Sequence, residues 1–291
     1  MHARYNNGTV ITESDTQEKF EKFLVGEYFT HGSINKVFQK HHYSLPISFA
    51  GFDRVLSRFG VIKSAGPNSK LSESLYLLSF LASYKIPLER AYHKFAPKTF
   101  QVSSNTLHRI LHYTRLGLTR RQGVALIITS EDEPGRVLIG KDMSLADRNL
   151  GKIGDFSLPM GYSKIGEPPR DSILRVLQNE VFTDLVISKK FPFEIVPEHI
   201  KPSMYVNIAD ICVSVYALEI SSSLKKFSSF KIRDLKYRDI TALSDHSFRA
   251  GVKEILEAYK DTDKNCLLDE ALVFDSDLNM KIFALAKQPV E

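Results

Sequence analysis

The chain has 291 residues, a formal net charge of +5 and a hydrophobic share of 43%. This length favours two domains, and the hydrophobic share excludes a broadly disordered protein. No apolar run approaches the length of a membrane span and the N-terminal residues are polar, so we expect a cytoplasmic protein without a membrane partner.

Charge is distributed unevenly along the chain. Residues 31–121 contain seven Lys and seven Arg against three acidic residues, a net charge of +11, so the rest of the chain carries −6. A basic segment joined to an acidic one indicates an anionic partner, such as a nucleic acid, for the basic part. The alternative is a basic surface that only contacts solvent. We assign residues 1–30 to an N-terminal extension.

The first part of the basic segment, 31–67, contains signals for two short helices. Ser33 and Ser48 are suitable N-caps, and Gly60 is a suitable stop for the second helix. The turn-forming residues 64–68 follow, and we expect them to form a small β wing.

The second part, 71–117, is predicted to hold a helix from Leu71, a short helix after Pro87 and a last helix from Asn105 to Leu116, capped by Ser103 or Ser104. The outward face of this last helix carries four polar or basic residues: Asn105, Arg109, His112 and Arg115. His108 and His112 also have a spacing that can bind zinc, although no third ligand accompanies them.

Short helices with tight turns and a basic last helix are typical of a helix-turn-helix. Arg and Asn pair with guanine and adenine edges in the major groove of duplex DNA. The sequence therefore predicts an all-α, winged helix-turn-helix region over 31–118, with 31–67 and 71–117 as two units. The alternative is a helical region that packs on the rest of the chain or on another protein.

The following segment, 119–260, alternates apolar strands with helices. Val124–Ile128 and Val137–Ile139 are predicted to form a hairpin, and Tyr205–Ile220 is one bent strand or a pair of strands. A mixed strand and loop over 227–243 and a helix over 248–259 complete the segment. Cys212 lies in an apolar strand, where we expect a buried free thiol, and Cys266 is the second cysteine.

Residues 161–182 show a glycine, two glutamates and an arginine at defined spacings. Five residues separate Gly161 from Glu167, seven more precede Arg175, and Glu180 follows. Pro168-Pro169 suits a helix start, since proline at the first helical position needs no donor. The helix would place one apolar face in a core and present a second face of three residues: Val176, Asn179 and Glu180.

This stretch resembles the Nudix signature, G-x5-E-x7-R-E-U-x-E-E-x-G-U, in which U is a bulky apolar residue. Five positions match: Gly161, Glu167, Arg175, Leu177 and Glu180. Among the departures, Val176 and Asn179 replace glutamates, and Phe182 replaces a glycine. A polar loop followed by an amphipathic helix would be the interpretation without the family.

The resemblance implies an α+β chain in which the helix-turn-helix region precedes a Nudix-like α/β/α sandwich. It implies Glu167, Arg175 and Glu180 as catalytic residues and a weak Mg²⁺ or Mn²⁺ site at Glu167 and Glu180. Gly161 and Asp171 would bind the ligand. Two of the signature's carboxylates are missing, so we expect little metal-dependent chemistry.

Two functions follow from this combination. The first is a transcriptional regulator that senses a nucleoside-diphosphate-type ligand and binds double-stranded DNA, with little or no hydrolase activity. The second is a Mg²⁺-dependent hydrolase of nucleoside diphosphates linked to another group. A homodimer is left open, and the C-terminal extension, 261–291, is predicted to dock as an extra helix or strand without a functional interpretation.

Overall fold

The computed structural model describes residues 4–6, 9–11, 13–62, 77–96, 103–117, 121–144, 150–224, 226–243, 246–261 and 271–285. Helices dominate the N-terminal part and two sheets the rest, so the predicted α+β class is confirmed. The predicted β wing at 64–68, the helix start at Leu71 and Cys266 lie outside the described residues. None of the described helices is long and apolar enough to cross a membrane.

The N-terminal part begins with a small hairpin, followed by helices with serine caps. The elements are β1 Arg4–Asn6, β2 Thr9–Ile11, α1 Glu13–His31, α2 Ile34–Lys40, α3 Phe49–Arg58, α4 77–82, α5 Leu88–Phe95 and α6 Ser104–Arg115. Ser33, Ser48 and Ser103 each accept a hydrogen bond at the side-chain oxygen from the backbone N–H three residues ahead, as the sequence predicts.

The remaining strands form two sheets. They are β3 Arg121–Thr129, β4 Arg136–Asp142, β5 Phe156–Ser157, β6 Met160–Ser163, β7 Met204–Ile208, β8 Ile211–Glu219, β9 Ile232–Asp239 and β10 Leu272–Asp275. The first sheet has the order β10-β7-β8-β3-β6, and the second has the order β5-β4-β9. The predicted hairpin between β3 and β4 is wrong, because β8 and β6 occupy both edges of β3 and β4 belongs to the other sheet.

The segment Tyr205–Ile220 is a pair of strands. Its turn contains Ala209, which has a positive φ of 55°, and β7 and β8 pair antiparallel on either side of it. Cys212 is a free cysteine, and it is half-buried rather than buried as predicted. The reason is its face of the strand: Cys212 and Ser214 are half-buried, whereas the alternating residues Ile211 and Val213 point into a core.

Four helices follow the first strands: α7 Pro169–Glu180, α8 Thr183–Ile187, α9 Val252–Asp261 and α10 Asp277–Ala284. Strand β3 separates two cores by simple alternation. Leu126 and Ile128 belong to the core that contains α7, whereas Ala125 and Ile127 belong to the core that contains α9. A sheet with α7 on one face and α9 on the other gives the expected α/β/α sandwich.

Helices α1 to α3 belong to the same core as α7. Leu24, Phe29 and Phe52 pack in one continuous apolar cluster with Leu177. Gln178 adds two hydrogen bonds: its amide donates to the Gly60 carbonyl at 2.8 Å, and its oxygen accepts from the Ile62 N–H at 2.9 Å. These contacts enclose α7, whose nine consecutive residues 172–180 are all buried.

The C-terminal extension docks as one strand and one helix, as predicted. Strand β10 pairs parallel with β7, and α10 joins an apolar cluster with the helices of the second predicted unit. Ile282 of α10 and Leu107 of α6 are fully buried in this cluster, together with Ala209 of the β7–β8 turn. The division of the chain at residues 30, 118 and 260 stays a prediction.

Candidate functional site

The box at 161–182 is built from β6, a loop and α7. Gly161 pairs with Val124 on the neighbouring strand. A Cβ atom at Gly161 would come within 3.3 Å of the Val176 side chain, so a glycine allows α7 to approach the strand closely. Phe182 needs no glycine-specific backbone, because its φ is −129°, and its ring is fully buried in the core.

Glu167 and Arg175 form a buried ion pair between the loop and the helix. Arg175 is 3% exposed and donates from both terminal nitrogens to the two carboxylate oxygens. The Lys164 N–H, at 3.0 Å, and the Ser172 hydroxyl, at 2.7 Å, donate to the same carboxylate. Burial would raise the pKa of Glu167, but these hydrogen bonds outweigh it and lower the pKa from 4.5 to about 2.

Glu180 at the end of α7 lies in a different environment. Its side chain accepts a hydrogen bond of 2.8 Å from the Met160 N–H, and the Lys231 ammonium lies 3.8 Å away. Burial raises the pKa of Glu180 above its ordinary value, although the charges of Lys231 and Arg249 act in the opposite direction. The two glutamates of the predicted metal site therefore each have their own cationic partner.

The other two residues of this face carry no carboxylate. Val176 is 3% exposed and packs in the core that α7 shares with α1 to α3. Asn179 donates its amide to the Arg175 carbonyl at 2.7 Å. Its side-chain oxygen is buried and has no hydrogen-bond partner among the described residues. Asn179 therefore offers one neutral acceptor where the signature has a charged ligand.

These residues do not fit a divalent metal ion. Mg²⁺ and Mn²⁺ require several oxygen ligands, of which at least one is usually a carboxylate that is free to bind the ion. The Glu167 oxygens already accept four hydrogen bonds, and Lys231 places a positive charge next to Glu180. In the part of the chain that the structure describes, no group of three or more His, Cys, Asp or Glu residues could hold a metal, which also excludes a zinc site there at His108 and His112.

Two more charged residues, Arg249 and Asp142, lie near Glu180, and neither these two nor Lys231 was identified from the sequence. Arg249 donates to Asp142 at 2.8 Å, and both charges act on the Glu180 carboxylate. Lys231 precedes β9, Arg249 precedes α9 and Asp142 ends β4. No local spacing connects three such distant positions, so only the folded chain brings them together. Asp171, the remaining predicted ligand-binding residue, lies half-buried in the first turn of α7.

The predicted DNA-binding residues Asn105, Arg109, His112 and Arg115 are all exposed on α6. Asn105, Arg109 and His112 share one face, whereas Arg115 lies toward the β7–β8 turn and lines a small cavity there with Asn207. Leu107 and Leu111 point the opposite way, into the cluster with α10. His108 lies beside this exposed face, 3.1 Å from a carboxylate oxygen of Glu89.

Two cavities of the described residues lie away from the box. One, of about 520 Å³, is lined by α1 and α3 residues that include Arg54 and Arg58. The other, of about 60 Å³, is lined by Arg115, Asn207 and Asp210, among others. The candidate site is therefore defined by the polar residues around Glu180 and not by a cavity.

No protein-family model matches the chain, and no curated protein matches it either. Solved structures do show similarity. A NUDIX hydrolase from Nitrosomonas europaea has a TM-score of 0.39 and 13% identity over 54% of this chain and 79% of its own. The MutT protein from Methanosarcina mazei Go1 has a TM-score of 0.37 and 15% identity over 50% of this chain and 96% of its own.

A third similar structure is the NUDIX domain of Shewanella oneidensis NrtR complexed with ADP ribose. Its TM-score is 0.36 and its identity 14%, over 60% of this chain and 97% of that one. The region from β3 to α9 has a Nudix-like fold. Within it, the Glu167–Arg175 pair, the close approach at Gly161 and the buried residues of α7 hold the loop, the strand and the helix of the box together.

Proposed function

We propose that the Nudix-like region binds a nucleoside-diphosphate-type ligand and hydrolyses it slowly or not at all. The observation that supports this most is the composition of the box face, where Val176 is buried and Asn179 is neutral. Loss of a general base commonly costs a factor of about 100–10,000 in rate. Loss of the metal that the missing carboxylates would hold removes a second source of acceleration.

The box residues that match the signature hold the loop against the helix, and ligand binding needs this as much as catalysis does. The Glu167–Arg175 pair fixes the loop against the helix, and Arg175 also donates to the Tyr162 carbonyl at 3.0 Å. A fixed loop keeps its backbone groups in place and reduces the entropy lost when a ligand binds. The chain therefore retains the residues that shape a Nudix-like site while lacking those that drive hydrolysis.

The test is a pair of measurements on the full chain. Binding of ADP-ribose, a nucleoside diphosphate linked to a sugar, is measured by calorimetry, with AMP, which lacks the diphosphate, for comparison. Turnover of the same panel, extended to sugar nucleotides, is then measured with Mg²⁺ and with Mn²⁺. We expect binding without robust turnover. Rates within the usual enzymatic range of about 1–1,000 per second would instead establish the alternative function, a hydrolase.

A second function, DNA binding, is supported by the exposed face of α6. Arg109 and Arg115 are basic, Asn105 is a suitable adenine reader, and all three are exposed. The surrounding segment has a net charge of +11, enough for several phosphate contacts. The combination with the ligand-binding region suggests a regulator, in which the ligand alters DNA affinity.

Gel-shift assays with the full chain on duplex DNA at several salt concentrations test this second function. We expect affinity to fall steeply as salt rises, because phosphate contacts release counterions. A full chain that shows no salt-sensitive binding at low ionic strength would leave α6 as part of a helical region that packs on the rest of the chain.

A further inference from the structure

Glu180 and three other charged residues form two ion pairs in which the cation is more exposed than the carboxylate. The side chain of Glu180 is 8% exposed and that of its partner Lys231 is 28% exposed. The side chain of Asp142 is 13% exposed and that of its partner Arg249 is 21% exposed. A molecule that approaches from solvent therefore has better access to the two cations than to the two carboxylates.

The position of Lys231 is fixed at its backbone rather than at its side chain. Its N–H donates to the Ser229 hydroxyl at 3.0 Å, and its carbonyl accepts from the Met143 N–H at 2.7 Å. Ser229 in turn donates to the Asn179 carbonyl at 3.3 Å, which connects this loop to the end of α7. The ammonium lies 3.8 Å from Glu180, a distance that leaves it in ionic contact without a short hydrogen bond.

We infer that Lys231 and Arg249 bind the diphosphate of the ligand directly, in place of a divalent metal ion. This inference rests on the proposed function, since it concerns the same ligand. Phosphate oxygens need positive charge or hydrogen-bond donors, and Nudix-like sites that hold metals supply the charge through the ion. In this chain the metal ligands are missing, and two side-chain cations pair with the carboxylates and are more exposed to solvent than these carboxylates are. Binding is therefore independent of Mg²⁺.

The contact between Lys231 and Glu180 also fits a simpler role for Lys231, which the experiment must distinguish from direct binding of the anion. Lys231 could only neutralise Glu180, since a buried carboxylate without a partner is costly. In that case removal of Lys231 would disturb the site, and removal of both charges together would restore it. A direct contact between Lys231 and the anion predicts that the double change does not restore binding.

The experiment uses the full chain and two probes, inorganic pyrophosphate and ADP-ribose, with calorimetry in EDTA and in Mg²⁺. The variants are Lys231→Met, Lys231→Arg and Lys231→Met with Glu180→Gln. The matched control is Lys236→Met, because Lys236 is 57% exposed and pairs with Asp234 on β9 rather than with Glu180. Thermal unfolding of each variant verifies that it is folded.

We expect the wild type to bind equally in EDTA and in Mg²⁺. Lys231→Met and the double variant should each lose affinity by about 10-fold or more, the usual effect of one charge-assisted hydrogen bond. Lys231→Arg and Lys236→Met should retain binding. The double variant has no carboxylate at position 180 that would lack a cationic partner. Its binding therefore decides the test even if Lys231→Met alone unfolds.

Three outcomes overturn the inference in distinguishable ways. Binding that occurs only in Mg²⁺ rejects the cation replacement but supports the proposed ligand function. Full binding by the double variant assigns Lys231 to neutralisation of Glu180. Absence of binding by the wild type under both conditions rejects the proposed function together with the inference.

Discussion

At the scale of residues, one ion pair connects the loop and the helix of the box. Glu167 accepts from Arg175, Ser172 and the Lys164 N–H, and its pKa is lowered to about 2. Arg175 is almost fully buried and depends on Glu167 for charge compensation. The pair is therefore expected to stabilise the fold, whether or not the site has any catalytic activity.

Glu167→Gln should lower the free energy of unfolding by up to about 3 kcal/mol at pH 7, at 1.36 kcal/mol for each unit of pKa shift. A lowered folded-state pKa gives stability that is present above the ordinary pKa of 4.5 and is lost as pH falls through about 2. The difference between variant and wild type, measured by urea unfolding, should therefore shrink from pH 5 downward. Glu194→Gln, at an exposed carboxylate, is the control; a difference that is constant from pH 7 to pH 3 would contradict this origin.

Val176→Glu combined with Asn179→Glu would restore the carboxylates of the signature. Both positions are buried and Val176 packs in the core, so the double variant should be less stable than wild type by several kcal/mol in EDTA. If it rebuilds a metal site, Mg²⁺ or Mn²⁺ should raise its Tm and its turnover, because an ion that binds only the folded state stabilises it. The wild type, measured alongside, should show neither effect.

At the scale of elements, sequence patterns predicted what depends on neighbours in the chain. The serine caps, the start of α7 after Pro168 and the docking of the C-terminal extension are confirmed. The prediction of a β3–β4 hairpin was wrong, because the pairing of a strand depends on contacts across the whole sheet and not only on its neighbours in the chain. Helix α1 was not identified from the sequence; among its described residues, the buried apolar ones, Leu24, Val25, Tyr28 and Phe29, lie in the second half of the helix.

The same distinction applies to the candidate site, where residues close together in the chain could be predicted and distant ones could not. The signature residues could be recognised from spacing, since the loop and α7 are contiguous in the chain. Lys231, Arg249 and Asp142 come from three separate segments, and their proximity to Glu180 depends on the packing of β4, β9 and α9 around the box. Nothing in the sequence near any one of them indicates that proximity.

For helix α6, we expect Arg109→Ala to reduce the preference among DNA sequences more than the nonspecific affinity. Asn105, Arg109 and His112 are exposed together at the spacing of one helix face, and each base-edge pair contributes about 1–3 kcal/mol of discrimination. A selected-site binding assay measures the preference. Lys36→Ala, at an exposed position of α2, should weaken binding to all sequences alike.

A result in which Arg109→Ala keeps the wild-type preference and loses only overall affinity would show that α6 is not the reading helix. Helix α3 would then be the next candidate. Its Arg54 and Arg58 line the surface cavity between α1 and α3, although Arg58 also pairs with Glu21.

At the scale of the whole molecule, the first three helices and the box helix share one core. Gln178 connects α7 to residues 60–62 through two hydrogen bonds and is fully buried. The first predicted unit is thus in contact with the predicted ligand-binding region, which gives a physical path by which a ligand at the box can affect the helices. The coupling itself requires a differential effect of the ligand on two states.

Gln178→Ala removes both hydrogen bonds and leaves the Gly60 carbonyl and the Ile62 N–H without them. We expect the free energy of unfolding to fall by about 1–3 kcal/mol, since each of the two part-buried hydrogen bonds contributes about 0.5–1.5 kcal/mol. Chemical unfolding followed by circular dichroism measures the change, and Gln39→Ala at an exposed position of α2 is the control. Equal stability of the two variants would show that this junction is not important for the fold.

The burial of residues 172–180 in α7 has a consequence for amide hydrogen exchange. Most helices in a small protein expose one face and open locally, whereas residues 172–180 are buried on every side. Their backbone protons should exchange with deuterium only when the surrounding layers separate. The slowest-exchanging peptide of the protein would then coincide with the very segment whose sequence departs most from its signature.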